Sequence, residues 1–450
     1  MRHDLIARYA DERLPRYTSY PTAPHFSPAV GPDTYAAWLA AIASDAVGSL
    51  YVHVPFCRRM CWYCGCNTTV TLRDEPVHAY LEALTEEIAL VETHLPRRLA
   101  VTHVHFGGGT PTIVAPREFL DLTRRLRSAF DVLSEAEIAV EIDPRTLTAD
   151  MAIALGEAGV TRASLGVQTF DPAVQAAINR EQSYAETALA VDRLRAAGIT
   201  GVNIDLIYGL PHQTVASCID TARVCLALRP DRFSVFGYAH VPALKRHQRK
   251  IDGAALPAGL ARYAQADAIA TRLEAAGYQR IGLDHFALPE DPMARAAEAG
   301  DLHRNFQGYT TDGADLLIGL GASAIGRLPH GYVQNAAVTR DYLRAIATGH
   351  LATAKGLVLS DDDRLRAALI ERLMCDFRVD VADICRRHGE PTGTVADAMP
   401  ALDRLAAEGI LRRDGAVVEM APEARNLVRV AAAAFDAYRA GSTAVHSLAV

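Results

Sequence analysis

The chain has 450 residues, 50% of them hydrophobic, and carries 46 Lys and Arg against 53 Asp and Glu for a net charge of −7. That length can bury one large core and a smaller domain, and the acidic balance excludes general attraction to nucleic acid or to an anionic membrane. No apolar run reaches the roughly 18–20 residues that span a bilayer, and the opening MRHDLIARYADERLPRY is charged throughout, without the apolar core of a signal peptide, so a reducing, cytoplasmic setting is expected.

An alternation of apolar β-branched runs with longer helical patterns begins near residue 48 and continues to about 240. It predicts strands over 50–54, 101–106, 137–142, 162–167, 201–207 and 232–238, with helices over 76–95, 116–130, 172–179, 184–198 and 214–228 between them. Strand–helix units in series imply a parallel sheet, either a partial barrel or a doubly wound sheet. A partial (β/α)6 barrel over 46–240 is the expected fold, because in such barrels the reactive groups gather at the carboxyl ends of the strands. Here every predicted strand ends in something chemically distinctive: a cysteine cluster, then Gly107-Gly108-Gly109-Thr110, then Glu141 and Asp143, Gln168, Asp205, and Tyr238-Ala239-His240.

Four of the eight cysteines fall in CRRMCWYCGC, from Cys57 to Cys66. The spacing C-x3-C-x2-C-x-C is a ligand pattern rather than a disulfide framework, since cysteines this close would close strained small loops. Structural zinc takes two separated knuckles, and the second is missing. Thiolates also hold cubane iron–sulfur clusters, and three of them can ligate three irons while leaving the fourth open. Cys218, Cys225, Cys375 and Cys385 stand at scattered helical positions and read as small buried apolar residues.

The other strand-end residues also have plainer readings. A glycine run after a strand is often only a turn, though without a Cβ it lets a ligand approach the backbone. Glu141 and Asp143 serve equally as caps or solvated carboxylates. Gln168 and Asp205 are polar residues in apolar runs, which need hydrogen-bond partners if buried. Residues 241–355 read as an elaboration closing the active site. After residue 355 the pattern changes to short helices, SDDDRLRAALIERLM and DAMPALDRLAAEGIL, and a hairpin around Asp414-Gly415, a mostly helical winged-helix-like domain over 356–450. Residues 361–450 hold 12 Arg and no Lys against 15 Asp and Glu, so no basic face for phosphates is expected and the domain reads as a packing or substrate-side unit.

CxxxCxxC after a strand, with Tyr63 just before the third cysteine, resembles the signature of radical S-adenosylmethionine (SAM) enzymes. Three further segments, PRYTSYPT from Pro15, the CGCN that adds Cys66, and LHRNFQGYTT followed by GLGASAIG, resemble the oxygen-independent coproporphyrinogen III oxidase family, and the likeness extends over nearly the whole chain. The resemblance implies one [4Fe-4S] cluster on Cys57, Cys61 and Cys64. It implies SAM contacts at Tyr51, Tyr63, Gly108, Gly109, Thr110, Glu141, Gln168, Arg180, Asp205, Ala239 and Ile325, divided between two SAM sites. A 5′-deoxyadenosyl radical would take a hydrogen from a propionate of coproporphyrinogen III, which loses CO2 and an electron to leave a vinyl group. Two such reactions, with two SAM, would give protoporphyrinogen IX. Cys66, Gln307 and His53 would act on the substrate side, and Arg16, His303 and Arg304 would meet its carboxylates. Residues 1–45 would form a lid that shields the radical. A reductant for the cluster and an acceptor for the substrate electron are expected partners, and a monomer is the default assembly. Two other classes are weighed: a haem-binding chaperone of the same superfamily, which would lack PRYTSYPT and the fourth cysteine, and a zinc-dependent binding module.

Overall fold

The computed structural model describes residues 3–439 and Leu448. All six expected strands form: β1 (Val47–Val54), β2 (Ala100–Gly108), β3 (Asp131–Ile142), β4 (Arg162–Gln168), β5 (Gly201–Tyr208) and β6 (Arg232–Gly237). They pair parallel and in chain order. Crossover helices, among them Glu75–His94, Pro116–Ala129, Tyr184–Ala196 and Val215–Leu226, connect them.

The sheet extends beyond those six. On one side β6 pairs antiparallel with a short hairpin, β7 (Gln279–Ile281) and β8 (His285–Ala287). On the other, β9 (Leu316–Leu320) lies parallel to β1 and continues antiparallel through β10 (Ile325–Leu328), β11 (Gly331–Asn335) and β12 (Thr353–Val358). The result is a single 12-stranded sheet in the order β12-β11-β10-β9-β1-β2-β3-β4-β5-β6-β8-β7. Among the described residues no pairing joins its two edges, so the sheet curls around a lumen without closing. The parallel strand β9, LLIGL, was not among the strands expected from the sequence: a five-residue apolar run has no period to distinguish it from a buried helix turn.

Side-chain alternation divides the two faces of this sheet. Tyr51 and His53 of β1 and Asn203 and Asp205 of β5 line the lumen. Their neighbours Val52, Val54, Val202, Ile204 and Leu206 pack with the crossover helices in the principal core. This explains why polar residues stand inside apolar runs: they face the cavity, not the helices.

A second core joins the two ends of the chain. Leu5, Ile6, Tyr9, Leu14, Tyr17 and Tyr20 pack with Leu365, Leu369, Phe377, Leu402 and Phe435. Val30, Tyr35, Leu39 and Ile42 instead join the principal core, so the first 45 residues serve two cores rather than one. The C-terminal unit runs helix Asp361–Asp376, β13 (Arg378–Asp380), helices Val381–Arg387 and Met399–Ala407, then the hairpin β14 (Leu411–Asp414) and β15 (Val417–Met420). Its small sheet is ordered β13-β15-β14, and Gly415 makes the turn with φ 58°. That is a winged-helix-like arrangement. Cys218, Cys225, Cys375 and Cys385 are all buried. No helix of the described residues is long and apolar enough to cross a membrane.

Candidate active site

The cysteine loop leaves the end of β1 and is tied down by contacts within itself and from two other segments. Thr69 N–H donates to the Pro55 carbonyl and Thr71 N–H to Cys57, folding the loop back on itself. Asn179 donates its amide to the Met60 carbonyl at 2.8 Å, and Trp62 N–H donates to Ile178. Above it, the turn Arg246–Lys250 closes down: His247 Nε2 donates to Cys64 O at 2.7 Å, Gln248 Nε2 to Tyr63 O at 3.0 Å, and Lys245 Nζ to Cys66 O at 2.9 Å. Gln248 also reaches the Ala239 carbonyl at 3.1 Å, which links the end of β6 to this loop.

Each thiol has its own electrostatic surroundings. Cys57 Sγ lies 3.3 Å from the Thr110 hydroxyl. Burial pushes the Cys57 thiol up to about 12, and the Thr110 hydrogen bond partly offsets that rise. Arg180 Nη1 donates to Cys61 Sγ at 3.4 Å and Arg145 Nη2 at 3.7 Å. Both arginines also pair with Asp143, at 3.4 Å and 2.6 Å. Cys64 is lowered to about 6, chiefly because the Cys66 thiol donates to it, while Cys66 itself is raised by the same contact. Cys66, unlike the buried Cys61, is exposed and lines the lumen.

The donor set fits a cubane cluster. Among the described residues no three His, Cys, Asp or Glu side chains converge on one metal ion, and a cubane does not require it, because each thiolate binds a different iron. Two polar atoms nearby point to a further ligand. Gln168 ends β4 in the left-handed region at φ 70°, a conformation costly for a residue with a side chain, and its Oε1 is buried without a hydrogen-bond partner. Arg180 Nε is likewise buried and unpartnered, although Arg180 Nη2 bonds the Gly166 carbonyl. Unsatisfied buried groups of this kind are uncommon and call for an occupant.

Below the loop opens a cavity of about 640 Å³, within the range of small-molecule sites. At its upper rim, His53 Nε2 donates to Asn67 O at 3.0 Å, so its Nδ1 is the acceptor for the Tyr51 hydroxyl at 2.9 Å. Burial lowers the pKa of His53, which keeps it neutral in that role. Gly108, at φ 116°, packs against the His53 ring, where an added Cβ would come within 2.6 Å of it. Gly109 meets Phe56 O, where a Cβ would lie at 2.5 Å. Both glycines are therefore required by the close approach of β2 to the loop.

Two carboxylates in this cavity are shifted in opposite directions. Burial raises Glu141, but hydrogen bonds from His105 at 3.2 Å and from Gly108 N–H at 3.1 Å outweigh it and leave its pKa below the ordinary value. Asp205 is pushed up to about 6 by burial and by the charge of Glu141, despite hydrogen bonds from Ser164 and Asn203. Gln307 and Ile325 line the same cavity.

Apart from Gln168 at the end of β4, the expected residues divide into three groups. Tyr51, His53, Cys66, Gly108, Glu141, Asp205, Gln307 and Ile325 line the lumen. Cys57, Cys61, Cys64, Tyr63, Thr110, Arg180 and Ala239 belong to the loop and its clamps, with Gly109 against them. Arg16, His303 and Arg304 do neither: they line two side chambers under residues 16–20. Sequence reasoning missed Arg145, Lys245, His247 and Gln248. The basic run KRHQRK was the available signal for the last three, but nothing in spacing relates residues so far apart in the chain.

A family model described as the radical SAM superfamily matches residues 51–225. The chain is 59% identical over 450 residues to an oxygen-independent coproporphyrinogen III oxidase of Bradyrhizobium diazoefficiens, covering 100% of both. It is 42% identical to the oxidase of that name from Pseudomonas aeruginosa, over 97% of this chain and 95% of the relative. Among solved structures it is similar to the coproporphyrinogen III oxidase of Escherichia coli, described as a radical SAM enzyme, with 38% identity, a TM-score of 0.89, and coverage of 94% of this chain and 97% of that one.

Proposed function

Because the chain belongs to the oxygen-independent coproporphyrinogen III oxidase family of the radical SAM superfamily, we propose that it decarboxylates two propionates of coproporphyrinogen III to vinyl groups, consuming two SAM to give protoporphyrinogen IX. The observation that carries this reading is the lumen that runs from the rim of the cysteine loop, at Cys66, His53 and Gly108, to Asn305 and Gln307. A reactive group generated at the rim meets substrate in a walled space.

When bound, the cluster and SAM supply the carbon radical that takes a substrate hydrogen, and the protein's share is binding, orientation and exclusion of water. Cys57, Cys61 and Cys64 hold the cluster. Arg180 and Arg145 place guanidinium donors against Cys61 Sγ and hold it in position. Cys66, facing the lumen, is left free for the substrate side. Gln168 Oε1, Arg180 Nε and the Glu141 carboxylate offer one acceptor, one donor and one anion to the amino acid and ribose parts of SAM, with Tyr51, Tyr63, Gly108, Gly109, Thr110, Asp205, Ala239 and Ile325 completing the two SAM sites. His53 is a neutral imidazole fixed in orientation by Tyr51 and Asn67, and it and Gln307 position the reacting arm. The lid expected over residues 1–45 includes residues 17–20, which line a side chamber together with Asn305 and Phe306 of the lumen wall. The protein works as a cytoplasmic monomer with an external reductant and electron acceptor.

The test is anaerobic turnover of the iron–sulfur-reconstituted protein with SAM, a reductant and coproporphyrinogen III, followed by product mass. The expected product has lost two carboxyl groups, with 5′-deoxyadenosine formed alongside. SAM cleavage with the porphyrinogen unchanged would reject this substrate, and tight haem binding without turnover would favour the chaperone class.

A further inference from the structure

The turn that clamps the cysteine loop, Arg246–Lys250, stands outside the lumen wall. Lys245 and His247 point inward to the carbonyls of Cys66 and Cys64. Leu244, Arg246, Arg249 and Lys250 alternate with them and are exposed, Leu244 with 64% of its surface free. One side chain, His247, therefore spans the distance from this surface to the cysteine loop, with Nε2 2.7 Å from Cys64 O.

The composition of this surface differs from that of the chain around it. The whole sequence contains three lysines, Lys245, Lys250 and Lys355, and two of them stand in the six-residue run KRHQRK. Four of those six residues are Lys or Arg, in a chain of net charge −7. The patch continues onto the cysteine loop itself. Lys250 Nζ lies over the Trp62 ring at 5.4 Å, Trp62 N–H donates to Ile178 O, and the exposed Arg59 donates to Asn179 Oδ1 at 2.7 Å. Arg59, Trp62 and Lys250 are thus contiguous. These cations meet neutral groups: a carbonyl for Lys245, an indole ring for Lys250, the Pro242 carbonyl for Arg249 and an amide oxygen for Arg59. The acidic residues beside them are Glu181 and Asp252, both exposed, against five Lys and Arg. On the other flank of the loop Arg58 is paired with Asp74.

A charge run that is merely solvated needs no exposed leucine and no half-buried tryptophan among its cations, whereas a docking face combines an apolar centre with a charged rim. Charge and position together select the partner. A local basic patch on an acidic protein attracts a partner whose own contact face is acidic, and orients it as it approaches. The position is directly over the loop that holds Cys57, Cys61 and Cys64, whereas the lumen lies on the other side, at Gly65, Cys66 and Asn67.

We propose that the face formed by Leu244, Arg246, Arg249, Lys250, Trp62 and Arg59 docks an acidic electron-donor protein, which delivers electrons from outside while substrate occupies the lumen. This deepens the oxidase reading above and rests on its cluster assignment. On docking, the reduced donor gives up one electron and leaves oxidised, the cluster gains that electron, and no proton or bond is exchanged at the face. The complex is expected to be transient, in line with redox encounters that bury less than about 1,200 Å², and to weaken as salt screens the exposed charges.

Calorimetric titration of the reconstituted full-length protein with an acidic [2Fe–2S] ferredoxin, and separately with an acidic flavodoxin, tests this without any turnover. Saturable, salt-weakened binding of at least one is expected. It should fall about tenfold or more in the double variant Arg246→Glu/Arg249→Glu and stay unchanged in Arg412→Glu, an exposed position of the C-terminal hairpin. Circular dichroism melts and iron content establish that the variants are folded and loaded. Zero-length carbodiimide cross-linking of the wild-type complex reads the position directly. With three lysines in the chain, donor carboxylates should join Lys250 or Lys245 rather than Lys355, which lies over Phe26 on β12. Absence of saturable binding by both donors, equal weakening in Arg412→Glu, or cross-links at Lys355 alone overturns the proposal. Product mass obtained with a small chemical reductant does not depend on docking, so failure of this face and failure of the oxidase reading are told apart.

Discussion

The rim of the lumen and the junction between the chain ends both collect arginines, and they treat charge in different ways. At the rim, Arg180 and Arg145 face Asp143 and the Cys61 thiol. At the junction, Arg16, Arg304 and Arg429 face carbonyls of residues 14–17 and Gly237. The first arrangement shares one carboxylate between two guanidiniums, which fixes their geometry against the loop. The second is held by hydrogen bonds to backbone carbonyls, which tie residues 14–17 to the C-terminal unit and to the end of β6. An ion-paired rim thus contrasts with a junction built on arginine–carbonyl hydrogen bonds.

The largest effect expected is at the rim. On the proposed assignment of the cluster to Cys57, Cys61 and Cys64, iron and sulfide content should fall to background in Cys57→Ala and turnover with it. Cys66→Ala should keep the iron while turnover falls. An equal loss of iron in the two variants would make Cys66 a ligand and break the division between loop and lumen.

The junction is the place for the next test. Leu14 has no exposed surface in the core shared by the chain ends, so Leu14→Ala is expected to cost about 3–4 kcal/mol in denaturant unfolding. Iron content should not change, and a parallel loss of cluster would mean that rim and junction are one cooperative unit. Somewhat smaller, about 3 kcal/mol, is the stability loss expected for Arg180→Gln, which removes one buried cation from Asp143 while Arg145 remains.

The smallest effect concerns pH. Glu87 accepts hydrogen bonds from Gly321 N–H at 2.6 Å and from the Tyr342 hydroxyl at 2.8 Å beneath the β9–β10 loop, yet burial pushes it up to about 7 from its ordinary 4.5. The folded protein therefore keeps a proton that the unfolded chain has released. The stability this contributes is complete below pH 4.5 and declines as pH rises through about 7. Glu87→Gln should flatten that part of the stability–pH curve, and an unchanged slope would place the titration elsewhere.

These regions also differed in how far the sequence disclosed them. The six parallel strands were legible because each is a β-branched run followed by a helical period, and Cys57, Cys61 and Cys64 because their spacing lies within one loop. Asp205 was legible as a polar residue in an apolar strand. The clamp of Lys245, His247 and Gln248 on the loop was not, since it spans about 180 positions. The arginine junction was hidden for the same reason: Arg429 reaches Leu14 across 415 positions, and each arginine alone reads as a surface cation. Local pattern encodes elements and motifs, whereas charge compensation is decided by folding.

Mössbauer spectroscopy of the reconstituted protein, before and after addition of SAM, tests the central claim most directly. With three cysteine ligands and one open iron, one iron of the four should change its spectrum when SAM binds, in the wild-type protein and in Cys66→Ala alike. Four irons that stay indistinguishable with SAM present would contradict the assignment of the cluster to Cys57, Cys61 and Cys64 and the function built on it.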